Sequence, residues 1–195
     1  MNGLLSLSRG IDRLNEFIGR TAGYAILAAV IISAGNAIVR KLAPQYSSNA
    51  WLEAQWYLFG AAFMLAAAVT LKQNEHIRID LIYGNLSRRA QNWIDLLGHL
   101  LFLMPFSLLM VWYLWPYTVK SFLSGEVSTN AGGLVIWPAK AILLAGFVML
   151  SLQGVSEIIK KIAVMRGLIP DPTPFVSSHD PITTEADALI GEIKK

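Results

Sequence analysis

Glu53, Asp95, His99 and Lys140 stand inside apolar runs or at their edges, where a charge must be paired or led out to water. Glu53 and Lys140 each lie close to the start of such a run, after Trp51 and Trp137, which places them at similar depth. An ion pair between the two is therefore expected as one way of satisfying both. Lys140 has a second way, because its long stem lets the ammonium reach an interface. Contact with a substrate or a partner is the remaining alternative. Asp95 and His99 are four apart, one helical turn, and a hydrogen bond between them is preferred to a metal or haem role. Arg78 and Asp80 alternate with Ile77 and Ile79 in the stretch from Lys72 to Asp80. That pattern fits a re-entrant or surface-lying link, or an interface element whose Arg78 and Asp80 bond to another chain.

Other chemistries are poorly supplied. The 195 residues contain no cysteine, which removes disulfides, thiol catalysis and Cys-ligated metals. There is no Gly-x-Ser-x-Gly, no His-Glu-x-x-His and no P-loop, so no enzyme activity, cofactor or metal is expected. A bis-histidine haem needs two facing imidazoles within the membrane. His99 is alone in a helix, with His76 in a loop and His179 near the end of the chain. A redox-complex anchor is thus a weaker alternative. A small stand-alone channel or exporter is another, and only Ser33, Asn36 and Ser107 are available to line its path. The basic residues form no stripe with aromatics, so no nucleic-acid partner is read from them.

The elements that must carry these residues are apolar helices. Hydrophobic residues make up 54% of the chain and charged residues 15%, where a soluble domain carries about a quarter charged. Four uncharged stretches stand out: 19 residues between Arg20 and Arg40, 18 between Glu53 and Lys72, 24 between Asp95 and Lys120, and 16 between Lys140 and Glu157. About 20 apolar residues cross a bilayer. The expected fold is all-α and integral to the membrane, with spans at about 21–40, 51–71, 94–117 and 135–158 inside a domain of residues 21–165. Ten basic residues flank the N-terminal, middle-loop and C-terminal side, against four on the other, which puts both termini in the cytoplasm. Residues 1–20 lack the pattern of a cleavable signal peptide. They repeat Leu4, Leu7, Ile11, Leu14 and Ile18 at helical spacing and are expected to form an amphipathic helix on the inner membrane surface. Residues 166–195, with four prolines among Ser, Thr and acids, are expected to be a mostly disordered cytoplasmic tail.

Small residues form stripes for helix packing: Ala25, Ala29, Ser33 and Ala37, then Ala62, Ala66 and Thr70, then Ala141, Ala145 and Gly154. Trp51, Trp56, Tyr57, Trp93, Trp112, Trp115, Tyr117 and Trp137 make an aromatic belt at both interfaces. Ser87 is a candidate N-cap for the third helix. Ser124 to Gly133 reads as a tight, exposed outer turn.

Taken in order, these motifs resemble a known family. Glu53 opens a helix; His76, Arg78 and Asp80 follow in the loop; then come Ser124-Gly125-Glu126, Gly132-Gly133-Leu134, Trp137-Pro138-Ala139-Lys140 and Gln153-Gly154-Val155-Ser156-Glu157. Over about residues 15–165 the chain resembles the small, DctQ-type membrane subunit of TRAP (tripartite ATP-independent periplasmic) transporters. Its outer loop looks like the branch labelled mannitol/chloroaromatic. The resemblance implies a multi-pass subunit of a bacterial inner membrane, paired with a large polytopic subunit and a periplasmic solute-binding protein. It implies sodium-coupled uptake of organic acids, with this subunit bracing the scaffold of the large one and no substrate site of its own. Lactate, 2-oxo acids and aromatic acids all stay open as solutes. Glu53, Arg78, Asp80 and Lys140 match recurring positions of the family and are implied to hold the fold and the partner contact. Glu53→Ala is accordingly expected to harm assembly or uptake more than Ala62→Val.

Overall fold

The computed structural model describes residues 2–74, 83 and 86–171. Four helices within it are long and apolar enough to cross a membrane. They are α1 (Asn2–Leu42), α2 (Asn49–Gln73), α3 (Arg88–Ser124) and α4 (Trp137–Met165). A 3-10 turn, Pro44–Tyr46, joins α1 to α2. Packing runs in the order α1–α2–α4–α3, and α1 also meets α4. The outer faces stay exposed and apolar, as in Phe63, Phe102, Trp112 and Leu123, which suits a surface solvated by lipid.

Each helix start has a local cause. Ser48 accepts from the Ala50 N–H and caps α2. Ser87 accepts from the Ala90 N–H and caps α3, as its position in the sequence suggests. α2 ends at Asn74 and α3 at Gly125, both left-handed, with φ of 59° and 61°. Within α3 the residues His99–Leu103 form a π turn. Pro105 follows directly and has no N–H to offer the preceding turn, so the helix widens by one residue there. The widened turn meets α4 at Gly154, where a Cβ would stand 2.9 Å from the Met104 sulfur.

α1 is one helix of 41 residues, about 60 Å long. The interfacial segment expected at 1–20 and the first span at 21–40 run on without a break. No proline or cap separates them, and Glu16 ties the join by bonding both Arg20 and Lys72 of α2. The inward face of this segment is also not the leucine stripe. Leu4, Leu7 and Leu14 are exposed, whereas Ser8, Ile11 and Asn15 are buried. Further along α1 the buried line is Ala22, Ala29 and Asn36, seven apart, and Ala37 of the expected stripe is exposed.

A polar seam joins α1 to the last third of α4. Asn15 Nδ2 donates to Gln153 Oε1 at 2.7 Å. Gln153 Nε2 lies 2.8 Å from both Asp12 Oδ1 and Glu157 Oε1. Ser156 Oγ donates to Asp12 Oδ1 at 2.7 Å, and Ser8 and Ser156 hydroxyls meet at 2.7 Å. Lys160 Nζ closes the group, 3.2 Å from Asp12 Oδ2 and 2.6 Å from Glu157 Oε1. Next to it, Lys161 pairs with Asp95 of α3 at 3.1 Å, and Tyr83 donates to the same carboxylate oxygen at 2.9 Å. Lys161 also reaches Asp171 beyond the end of α4. Buried polar groups hold their energy only when all are satisfied, so the seam is sensitive to single losses. Gln153→Leu is expected to lower stability by about 2–4 kcal/mol, because it strands Asn15 and removes the donor shared by Asp12 and Glu157. Adding Asn15→Leu should restore part of the loss; a thermal unfolding double-mutant cycle in detergent, returning no coupling between the two sites, would refute this.

Candidate functional site

The start of α2, the end of α3 and the start of α4 carry the second cluster of polar contacts, away from the seam. Glu53 sits one turn into α2 and is only 4% exposed. One of its oxygens accepts from Ser128 Oγ and from Asn130 Nδ2, the latter at 2.8 Å. The other accepts from the Leu134 N–H at 2.6 Å. The loop between α3 and α4 is thereby folded onto the start of α2. Its own backbone closes as a small hairpin, with Ser128 N–H to Leu134 O and Ile136 N–H to Glu126 O, both at 2.9 Å. Asn49 and Tyr57 add bonds to the carbonyls of Ala131 and Val135. Gly133 makes the close approach possible, since a Cβ there would lie 2.8 Å from the Glu53 carboxylate. The tight turn read from the sequence is thus a clamped lid on the bundle.

Lys140 belongs to the other half of the same clamp. Its Nζ lies 2.8 Å from Glu126 Oε2 and 3.8 Å from the centre of the Tyr117 ring. The Lys140 ammonium holds the Glu126 carboxyl below the usual carboxylate range, so the pair stays charged well below neutral pH. The expected Glu53–Lys140 ion pair does not form. The loop between α3 and α4 supplies each with another partner, Ser128, Asn130 and Leu134 for Glu53 and Glu126 for Lys140. Phe122 and Trp137 meet edge to face beside this pair. A small recess of about 210 Å³ lies between Tyr117, Lys120, Ser121, Ser124, Glu126 and Lys140. Glu126 lies between two cations there, bonding Lys140 and feeling the charge of Lys120.

Arg78 and Asp80 lie outside the described residues, and so does most of the segment expected as a tail. Among the described residues, the structure links Glu53 and Lys140 through the loop. Reading the sequence missed Glu126, Ser128 and Asn130 as the partners. It also missed the seam, although Gln153, Ser156, Glu157 and Lys160 recur at three- and four-residue spacing in an otherwise apolar helix. Ser8, Asp12 and Asn15 show the complementary spacing near the start. Among the described residues no group of three or more His, Cys, Asp or Glu is placed to hold a metal.

Comparison with known proteins decides the family. The model of the DctQ component of tripartite ATP-independent periplasmic transporters matches residues 29–164. The chain belongs to the DctQ family. DctQ proteins are the small membrane component of these transporters, a transporter family and not an enzyme family. No curated protein and no solved structure matches the chain. The DctQ match takes in the clamp and the α4 side of the seam, while Ser8, Asp12 and Asn15 precede it.

Proposed function

We propose that this chain is the small permease subunit of a sodium-coupled, binding-protein-dependent transporter that takes up organic acids. In this reading it sits in a bacterial inner membrane with both termini in the cytoplasm. It pairs with a large polytopic subunit that carries the solute and sodium sites, and a periplasmic binding protein delivers the solute. The chain itself braces the scaffold of the large subunit while that subunit moves.

The observation that carries the bracing role is the pair of polar locks at opposite ends of α4. Lys140 in the clamp and Lys160 in the seam are twenty residues apart, about 30 Å along the helix, which is the thickness of a hydrocarbon layer. The clamp joins α2, α3 and α4, and the seam with its Lys161 neighbour joins α1, α3 and α4. A bundle locked at both faces resists shear between its helices, which is what a brace requires. Glu53 and Lys140 have structural partners within the clamp, which agrees with a role in shape and assembly. Arg78 and Asp80 are proposed as contacts to the large subunit from the middle loop.

The test is purification of the tagged chain from its native host in mild detergent. One many-helix membrane protein is expected in equal amount, and the pair in proteoliposomes should take up an organic acid only with its binding protein and an inward sodium gradient. Recovery of the chain alone, or with a haem or flavin protein, would defeat the proposal. Uptake that ignores sodium would defeat the coupling.

A further inference from the structure

Among the described residues, no side-chain hydrogen bond joins the second half of α1 to α4. α2 packs along Ala22, Ala29 and Asn36, whereas the bonds from α1 to α4 all come from its first fifteen residues. Between α1 and the start of α2 this leaves an apolar groove of about 390 Å³. Ile31, Ile32, Gly35 and Val39 of α1 line it, closed at the outer end by Tyr46 and Trp51. The volume far exceeds that of one water, whose share of liquid is about 30 Å³. It suits side chains of another helix.

Asn36 also lines this groove. It is 7% exposed, and its Oδ1 is buried with no hydrogen-bond partner. An unmatched carboxamide in apolar surroundings is costly, and it is retained where something supplies its bond. The terminal torsion of Asn is soft, so either end of the amide turns toward the groove at little cost. Asn36 is six residues, about 9 Å along the helix, from the end of α1 at Leu42. At that depth an acyl chain has no donor or acceptor, and a headgroup does not reach. A transmembrane helix does, through a Ser, Thr, Asn or Gln side chain. Gly35 adds room for close approach, because a Cβ there would meet nothing within 4 Å. The DctQ family is one component of a tripartite assembly, so a membrane partner exists to fill the groove.

We propose that the α1–α2 groove receives a transmembrane helix of the large subunit, which hydrogen-bonds to Asn36. This rests on the transporter-subunit reading above. The experiment uses the natural absence of cysteine. Gly35→Cys and Val39→Cys place a benzophenone maleimide in the groove of the assembled transporter, and Leu108→Cys places it on an exposed site of α3. Irradiation is expected to join the large subunit to the two groove positions and not to position 108. Asn36→Leu should lower recovery of the large subunit by about three- to tenfold. The same change should leave the Tm of the isolated chain level or higher, since it removes an unmatched polar group, and a purely structural role would lower it instead. Adducts to lipid alone, to a second copy of this chain, or equally from position 108 would overturn the groove assignment with the large subunit still present. Absence of any large subunit from the preparation would overturn the transporter-subunit reading and this inference with it.

Discussion

Glu53→Ala is expected to free the outer hairpin and lower the Tm of the purified chain by about 5 °C or more. The carboxylate takes three donors from one loop, two from side chains and one from the Leu134 backbone. Removing it leaves that N–H without its acceptor and leaves the loop tied to α2 only through Asn49 and Tyr57. A protease should then cut within 124–133 where it spares the wild type. Glu53→Gln keeps the shape and part of the bonding, so it should fall between the two. Phe63→Ala, on a site 77% exposed, is the suitable control for the helix. Ala62 is not: it is buried, so Ala62→Val, taken from the sequence as a mild change, crowds the bundle. Unchanged protease resistance and Tm in Glu53→Ala would show that the hairpin holds itself.

Gly146→Val is expected to destabilise by about 3 kcal/mol or more, the largest effect of any apolar change in α4. A Cβ at Gly146 would stand 2.7 Å from Met64 Cβ and 3.0 Å from the Met64 carbonyl oxygen. The carbonyl belongs to the α2 backbone, so the two helices must move apart, and a change of rotamer cannot relieve the clash. The contrast is Gly60→Ala on α2, where a Cβ meets nothing. That change should be neutral or stabilising by about 0.5–1 kcal/mol, the ordinary gain of Ala over Gly in a helix. Thermal unfolding of both variants in one detergent decides the matter. Equal Tm values would mean that α2 and α4 do not approach as closely as described.

The spans were legible in the sequence because hydrocarbon selects for uninterrupted apolar length, a local property. Their ends were less so, and the cause is charge pairing. The expected spans of 94–117 and 135–158 begin or end beside Asp95 and Glu157, whereas the helices α3 and α4 run over Arg88–Ser124 and Trp137–Met165. Asp95, Lys160 and Lys161 lie inside the bundle because each meets an opposite charge from another helix, and Glu157 is carried with them by its pair to Lys160 one turn on. Such partners are distant in sequence, so a window along the chain reads the charge as an end. The clamp shows the same limit. The sequence placed Glu53 and Lys140 near helix starts beside Trp51 and Trp137, but it did not show their partners, because the fold of the hairpin decides them. Residues 2–20 are helical, as their spacing suggests, and the face that packs is the one with Ser8 and Asn15. In a lipid-facing protein the polar stripe is the one that gains by being covered.

The seam between α1 and α4 also bears on how the chain is made. Asp12 and Lys160 are 148 residues apart, so the first helix leaves the ribosome with its acceptors empty. At about 5–20 residues per second the donors arrive roughly seven to thirty seconds later. Until then the nascent chain carries Asp12 and Asn15 without their partners, and it is open to membrane proteases that remove incomplete products. Translation stopped before Gln153 would leave that state permanent. Only a chain synthesised through Lys160 can make all the α1–α4 contacts of the seam.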